Sequence, residues 1–356
     1  MEYRKLQNGS DIRGVAMEGV AGQSVNLTSA VMGDIGRAFV TYLKTKLGRD
    51  RLTVAVGRDS RLSGERLLAA FAEGAARQGA DVIDVGLCST PAMFMCTVTE
   101  GWRCDGAAML TASHLPFNRN GVKLFTAAGG FEKADITAVL ALAEAGGFTP
   151  APVFGGQRKA DFLSIYAAGL RRMICDGVNA PDRERPLSGF HIVADAGNGA
   201  GGFYAGEVLA PLGADVSGSR YLEPDGRFPH HAPNPEDPAA MDAIRACVLE
   251  NGADLGVIFD TDVDRAGAVF ADGTEINRNR LIALLSAVVL KEHPGATIVT
   301  DSITSSGLAA FIAEKGGVHH RFKRGYRNVI NEAIRLNTLG QDSPLAIETS
   351  GHGALK

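Results

Sequence analysis

The chain has 356 residues, 45% of them hydrophobic and 21% charged, with a formal net charge of −4. That length is long for a single core and implies two or three domains, and the near-balanced charge excludes a nucleic-acid or membrane-surface binder held by bulk electrostatics. No apolar run reaches a membrane-spanning length, the start MEYRKLQNGSDIRG has no apolar signal core, and five cysteines without a C-x-x-C pair form neither a zinc motif nor a disulfide framework, so a cytoplasmic protein is expected.

The first organised unit is RLTVAVGRDSRLSGERLLAAFAEGAARQGADVIDVG, an apolar strand ending at Asp59, a polar turn, a helix and a second short strand. GAAMLTASHLPFNRNGVKLF follows. Its strand ends at Leu110, and Pro116 and Asn120-Gly121 keep what comes next out of a helix. Ser113 then sits on a turn among backbone N–H groups, either as a nucleophile or phosphorylated side chain, or as an ordinary turn serine before a hairpin. Lys123 on the returning strand lies near that turn, where a cation stabilises a phosphoryl group or moves a proton.

A composition shift at EAGGFTPAPVFGGQ marks a boundary near residue 150, and the same unit recurs as FHIVADAGNGAGGFYAGEVLAPLGADVSG, with Asp195 as its marker. DLGVIFDTDVDRAG comes next: a buried strand over Leu255–Phe259, then Asp260, Asp262 and Asp264 at strict alternation beside Arg265. Near 5 Å and an effective dielectric of about 20, each ionised pair repels by about 3 kcal/mol. The trio is either a solvated turn or a site for a metal or phosphate. An EF-hand is excluded, because its sixth position would be Arg265 and its twelfth Ala271. After a second boundary near residue 270, the unit returns as ATIVTDSITSSGLAAFIAEKGGVHHRF, with Asp301. PLAIETSGHGALK again runs from a short strand into a polar turn carrying Glu348, Ser350 and His352. The marker aspartates are too far apart for a solenoid. The reading is α/β: three related mixed-sheet domains in series, 1–150, 151–270 and 271–356, whose loops converge on a central cleft beyond the strands' carboxyl ends.

In this order, TASHLP, DTDVDR and ETSGH resemble the phosphoserine, metal and sugar loops of the α-D-phosphohexomutase superfamily, in its phosphomannomutase/phosphoglucomutase branch. SDIRG, VAVGRDSRLSGERL, STPAMF, NGVK, DAGNGAGG and PDGRFPHHAPNP extend the likeness over almost the whole chain. The resemblance implies a mutase that interconverts hexose 1- and 6-phosphates of mannose or glucose through a sugar 1,6-bisphosphate. It makes Ser113 the phosphorylated residue and Ser113, Asp260, Asp262 and Asp264 the ligands of one Mg²⁺. His114, Lys123 and Arg13 become candidates for proton movement and phosphoryl stabilisation, while Arg265, Arg327, Glu348, Ser350 and His352 become substrate contacts. The partners implied are small hexose phosphates, with no nucleic acid or membrane, on a monomer or weak homodimer.

Leu115, Thr261, Val263 and Tyr326 depart from the family's usual residues. The family pattern also runs on past Lys356, through the rest of a third domain and a fourth with a phosphate-binding loop, so impaired turnover is expected of this chain. Two alternatives are an aspartate-nucleophile phosphatase using Asp260 and a non-catalytic sugar-phosphate-binding remnant.

Overall fold

The computed structural model describes residues 2–276 and 278–356. Among these, the first sheet comprises β1 (Gln7–Asn8), β2 (Asp11–Val15), β3 (Thr53–Arg58), β4 (Asp81–Leu87), β5 (Gly106–Leu110), β6 (Arg119–Thr126), β7 (Gly129–Gly130) and β8 (Gln157–Lys159). Their spatial order is β1-β2-β6-β5-β3-β4-β8, with β7 paired to β6. β3 is parallel to β4 and β5, whereas β6 returns antiparallel between β5 and β2. The helices of this region are α1 (Ser29–Leu47), α2 (Gly64–Arg77), α3 (Thr90–Met95), α4 (Lys133–Ala145) and α5 (Leu163–Val178). Val54 and Val56 join the core under α1, α2 and α4, while the alternate Ala55 joins the opposite core with Met93, Met109 and Phe162. Burial of both faces is why β3 and β5 read as unbroken apolar runs.

The second sheet holds β9 (Ile192–Asp195), β10 (Leu255–Phe259), β11 (Ala266–Phe270) and β12 (Glu275–Ile276), ordered β12-β11-β10-β9. α6 (Pro238–Asn251) covers it through Met241, Ile244 and Val248. The third holds β13 (Thr297–Asp301), β14 (Val318–Phe322), β15 (Leu345–Ile347) and β16 (Gly353–Leu355), ordered β14-β13-β15-β16. α7 (Asn279–Glu292) and α8 (Ser306–Glu314) pack on Ile298 and Ile347, and α9 (Tyr326–Thr338) packs on Val299 and Ala346. All three sheets mix parallel and antiparallel pairs.

The marker aspartates share one job. Asp59, Asp195 and Asp301 are all buried, and each accepts a backbone N–H from a polar turn: Arg61 at 3.0 Å, Gly197 at 2.8 Å and Thr349 at 3.2 Å. The first sheet takes β8 from beyond residue 150, and the second takes β12 from beyond residue 270. The connection before β8 is pinned to the first domain, because a Cβ on Gly155 would lie 1.8 Å from the Ala80 carbonyl oxygen. Among the described residues no helix is long and apolar enough to cross a membrane.

Candidate active site

Three loops leave the carboxyl ends of β5, β10 and β15, the side of an open α/β sheet where ligands bind. The first carries Ser113, buried and held at a φ of 51°, a left-handed conformation rare outside glycine. Its N–H donates to Thr111 Oγ1 at 2.8 Å. Its hydroxyl donates to Asp260 Oδ2 at 3.0 Å and lies 3.4 Å from His114 Nδ1. Beneath the loop sits Arg61, whose side chain is wholly buried. Its guanidinium donates to the carbonyls of Pro116 at 2.8 Å, Leu115 at 2.6 Å and Arg119 at 3.0 Å, and to that of Ser113. Asp59 Oδ2 accepts from Arg61 Nε at 3.2 Å. Burial pushes the Asp59 carboxyl up to about 6, against the pull of Arg61.

β6 returns opposite β5, bringing Lys123 across from Met109. Asn120 and Gly121 lie inside this strand rather than in a turn. Glycine is required there by close approach, since a Cβ on Gly121 would fall 2.1 Å from the Ile12 carbonyl oxygen. Lys123 Nζ stands 3.0 Å from Asp264 Oδ2 and 3.5 Å from Asp11 Oδ2. Burial disfavours its charge, but Asp11, Asp264 and Asp262 outweigh that and hold the ammonium well above its usual range. Arg13 Nη2 binds Asp11 Oδ2 at 2.8 Å.

In the second loop, oxygens of Asp260, Asp262 and Asp264 lie within 4.8 Å of one another. Asp260 Oδ1 accepts the N–H groups of Asp264 and Arg265, each at 3.1 Å. Burial first, then the charges of Asp262 and Asp264, raise the Asp260 carboxyl well above the usual range. Asp264 goes the other way: burial would raise it, yet Lys123, His352 and Arg265 hold it well below. Asp262 Oδ2 accepts from the Thr90 hydroxyl at 2.5 Å, whereas its Oδ1 is buried without a hydrogen-bond partner. Val263 takes a φ of 62°, strained for a β-branched side chain. Arg265 Nε lies 4.0 Å from Asp260 Oδ2 and 3.4 Å from His352 Nε2. Three hard oxygen donors and an orphaned buried carboxylate oxygen fit a small divalent cation.

The third loop folds on itself. Glu348 Oε1 accepts the Gly325 N–H at 2.6 Å, and Oε2 accepts from Ser350 Oγ at 3.3 Å. Ser350 Oγ is 3.0 Å from His352 Nδ1, and His352 Nε2 is 3.2 Å from Asp264 Oδ1. Tyr326 stacks on the His352 ring at 5.4 Å, and its hydroxyl is 3.4 Å from Ser10 Oγ. Thus Ser113, His114, Lys123, Arg265, the three aspartates and the third loop gather in one place.

Arg327, expected above as a substrate contact, is engaged here by another domain. Its Nε donates to Glu132 of the first domain at 3.1 Å, because α9 turns its first residues toward the start of α4. Sequence reasoning also missed Asp11, Arg61 and Thr90. All three lie in the matched stretches SDIRG, VAVGRDSRLSGERL and STPAMF, but what they do depends on distant partners: Asp11 meets Lys123 and Thr90 meets Asp262 across more than a hundred positions, and Arg61 holds a loop over fifty residues away.

Comparison with known proteins agrees along the whole chain. Residues 4–149, 172–273 and 277–356 match domains I, II and III, each α/β/α, of phosphoglucomutase/phosphomannomutase. A phosphoglucomutase of Neisseria gonorrhoeae is 32% identical over 350 residues, covering 98% of this chain and 70% of that protein. A phosphomannomutase/phosphoglucomutase of Pseudomonas aeruginosa is 33% identical over 344 residues, covering 96% and 69%. The crystal structure of a phosphoglucomutase/phosphomannomutase family protein from Burkholderia thailandensis superposes with a TM-score of 0.82 at 30% identity, over 100% of this chain and 73% of that one. The ordered domain matches and these relatives make the chain a member of the phosphoglucomutase/phosphomannomutase family of isomerases.

Proposed function

We propose that the protein is a phosphohexomutase that interconverts hexose 1- and 6-phosphates through a phosphorylated Ser113 and a sugar 1,6-bisphosphate. The observation that carries this is Ser113 Oγ at 3.0 Å from Asp260, one of a carboxylate trio whose Asp264 in turn meets His352 of the third loop. Asp260, Asp262 and Asp264, with a phosphoryl oxygen on Ser113, would hold Mg²⁺. When bound, the cation neutralises phosphoryl charge as a Lewis acid.

The residues divide the remaining work. As the Ser113 O–P bond breaks and a P–O bond to the sugar hydroxyl forms, that hydroxyl's proton passes to His114. Burial, then Arg265 and Arg13, push the His114 imidazole down to about 4, so it is neutral in the free protein, and the charge of an incoming phosphoryl group would raise its basicity for the transfer. Lys123, held charged by its carboxylates, acts as a fixed cation beside the phosphoryl group rather than as a base. Arg13 and Arg265 add positive charge. Glu348, Ser350 and His352 orient the sugar hydroxyls so that the attack is in line. After the bisphosphate turns round, Ser113 Oγ takes its other phosphoryl group and the proton returns to the sugar oxygen.

The phosphatase alternative fares worse, since it gives no role to the Ser113 loop or to the loop of Glu348, Ser350 and His352 that the structure brings to the same place. Phosphoryl uptake on Ser113 gives a direct test. Incubation with glucose or mannose 1,6-bisphosphate and Mg²⁺ adds the mass of one phosphate, and Ser113→Ala abolishes it. Labelling that persists in the alanine variant, or a label released by hydroxylamine, counts against Ser113 and for Asp260.

A further inference from the structure

Thr90 opens α3 in the first domain and is buried against the acidic loop of the second. It makes two bonds to a single residue there. Its N–H donates to the main-chain oxygen of Asp262 at 2.8 Å, and its hydroxyl donates to Asp262 Oδ2 at 2.5 Å. The neighbouring Ser89 is not interchangeable with it, because the Ser89 hydroxyl is taken by the N–H of Ala92 at 3.2 Å.

The consequence lies in what remains of the carboxylate. Its two oxygens are chemically equivalent until a donor engages one of them. With Oδ2 held by Thr90, Oδ1 is left buried with no hydrogen-bond partner, in the same cluster as the Asp260 and Asp264 oxygens. A buried, unpaired carboxylate oxygen is the atom a cation would complete. A short charge-assisted bond on Oδ2 also fixes the carboxylate's rotation before any ligand arrives.

We propose that Thr90 is a positioning residue for the cation: it selects Oδ1 of Asp262 as the coordinating atom, and so makes metal affinity depend on the docking of the first domain against the second. The inference rests on the metal reading given above, and the experiment separates the two. Mg²⁺ alone is titrated calorimetrically into the full chain, its Thr90→Val and Thr90→Ser variants and Asp262→Asn. Removal of an outer partner of a metal ligand weakens binding by about 10- to 100-fold. That loss is expected for T90V. T90S, which keeps the hydroxyl, should bind nearly as the parent does, while D262N should bind weakest. The melting temperature without metal should differ little between T90V and the parent, so the loss is not one of folding. Should T90V fail to fold, Thr90→Ala replaces it.

Equal affinity of T90V and the parent would overturn the role of Thr90 and leave the metal site standing. Equal weakness of T90V and T90S would overturn it too, since the hydroxyl would not be the cause. No Mg²⁺ binding by the parent, whether unphosphorylated or phosphorylated on Ser113, would overturn the metal reading and the inference with it.

Discussion

His114 shows how a single buried ring records its surroundings. Desolvation and the cations Arg265 and Arg13 depress it to about 4 from an ordinary value of 6.5. The unfolded chain therefore takes up this proton first as pH falls. Stability from the neutral ring is complete above about pH 6.5 and is lost as pH drops toward 4. His114→Gln should flatten the fall in melting temperature between pH 7 and pH 5, and an unchanged slope would place the acid sensitivity elsewhere. Ser113, Lys123 and the three aspartates were readable beforehand because each stands just past, or directly across from, an apolar strand. Thr90 and Arg61 were not, since a threonine before proline and an arginine after Asp-Ser look like ordinary turn residues until the fold supplies their partners.

At the scale of elements, the serine loop is rigid because something beneath it is. Arg61 satisfies four of its carbonyls while pairing with Asp59, and the guanidinium also lies 5.3 Å from the Phe228 ring of the second domain. Arg61→Met would leave Asp59 buried and unpaired, at a cost of about 3–5 kcal/mol by urea denaturation. If it still folds, uptake of phosphate on Ser113 should slow although the serine is intact. Unaltered stability and uptake would mean that backbone geometry alone holds the loop. The strand–aspartate–turn unit was legible three times over, because apolar period and glycine turns are local signals. Asn120-Gly121 shows the limit of such signals: the pair reads as a turn, yet the glycine serves the approach of β2 to β6. β8 and β12 were illegible as members of their sheets for the same reason, being short and joined only by long-range pairing.

In the whole molecule the first and third domains meet directly, through Arg327 and Asn331 on Glu132 and through Tyr326 near Ser10. These contacts are partly exposed, with Glu132 at 46% and Arg327 at 18%, so the ion pair itself is worth little and Glu132→Ala should cost about 1 kcal/mol of stability, mainly through its cap on α4. Its effect should instead be on shape, a larger radius of gyration by small-angle scattering as the cleft loosens. An unchanged radius would show that the acidic loop suffices to hold the domains together. That loop touches Ser113 and Lys123 from the first domain and His352 from the third. A ribosome delivers these groups in order, and domains fold as they emerge, N-terminal first. Lys123 is thus already in place when Asp260, Asp262 and Asp264 leave the exit tunnel, and their mutual repulsion is met by a waiting cation. His352 arrives nearly ninety residues later. In the nascent chain the acidic loop is therefore charge-balanced on one side and open on the other for seconds, until synthesis brings the His352 loop against it.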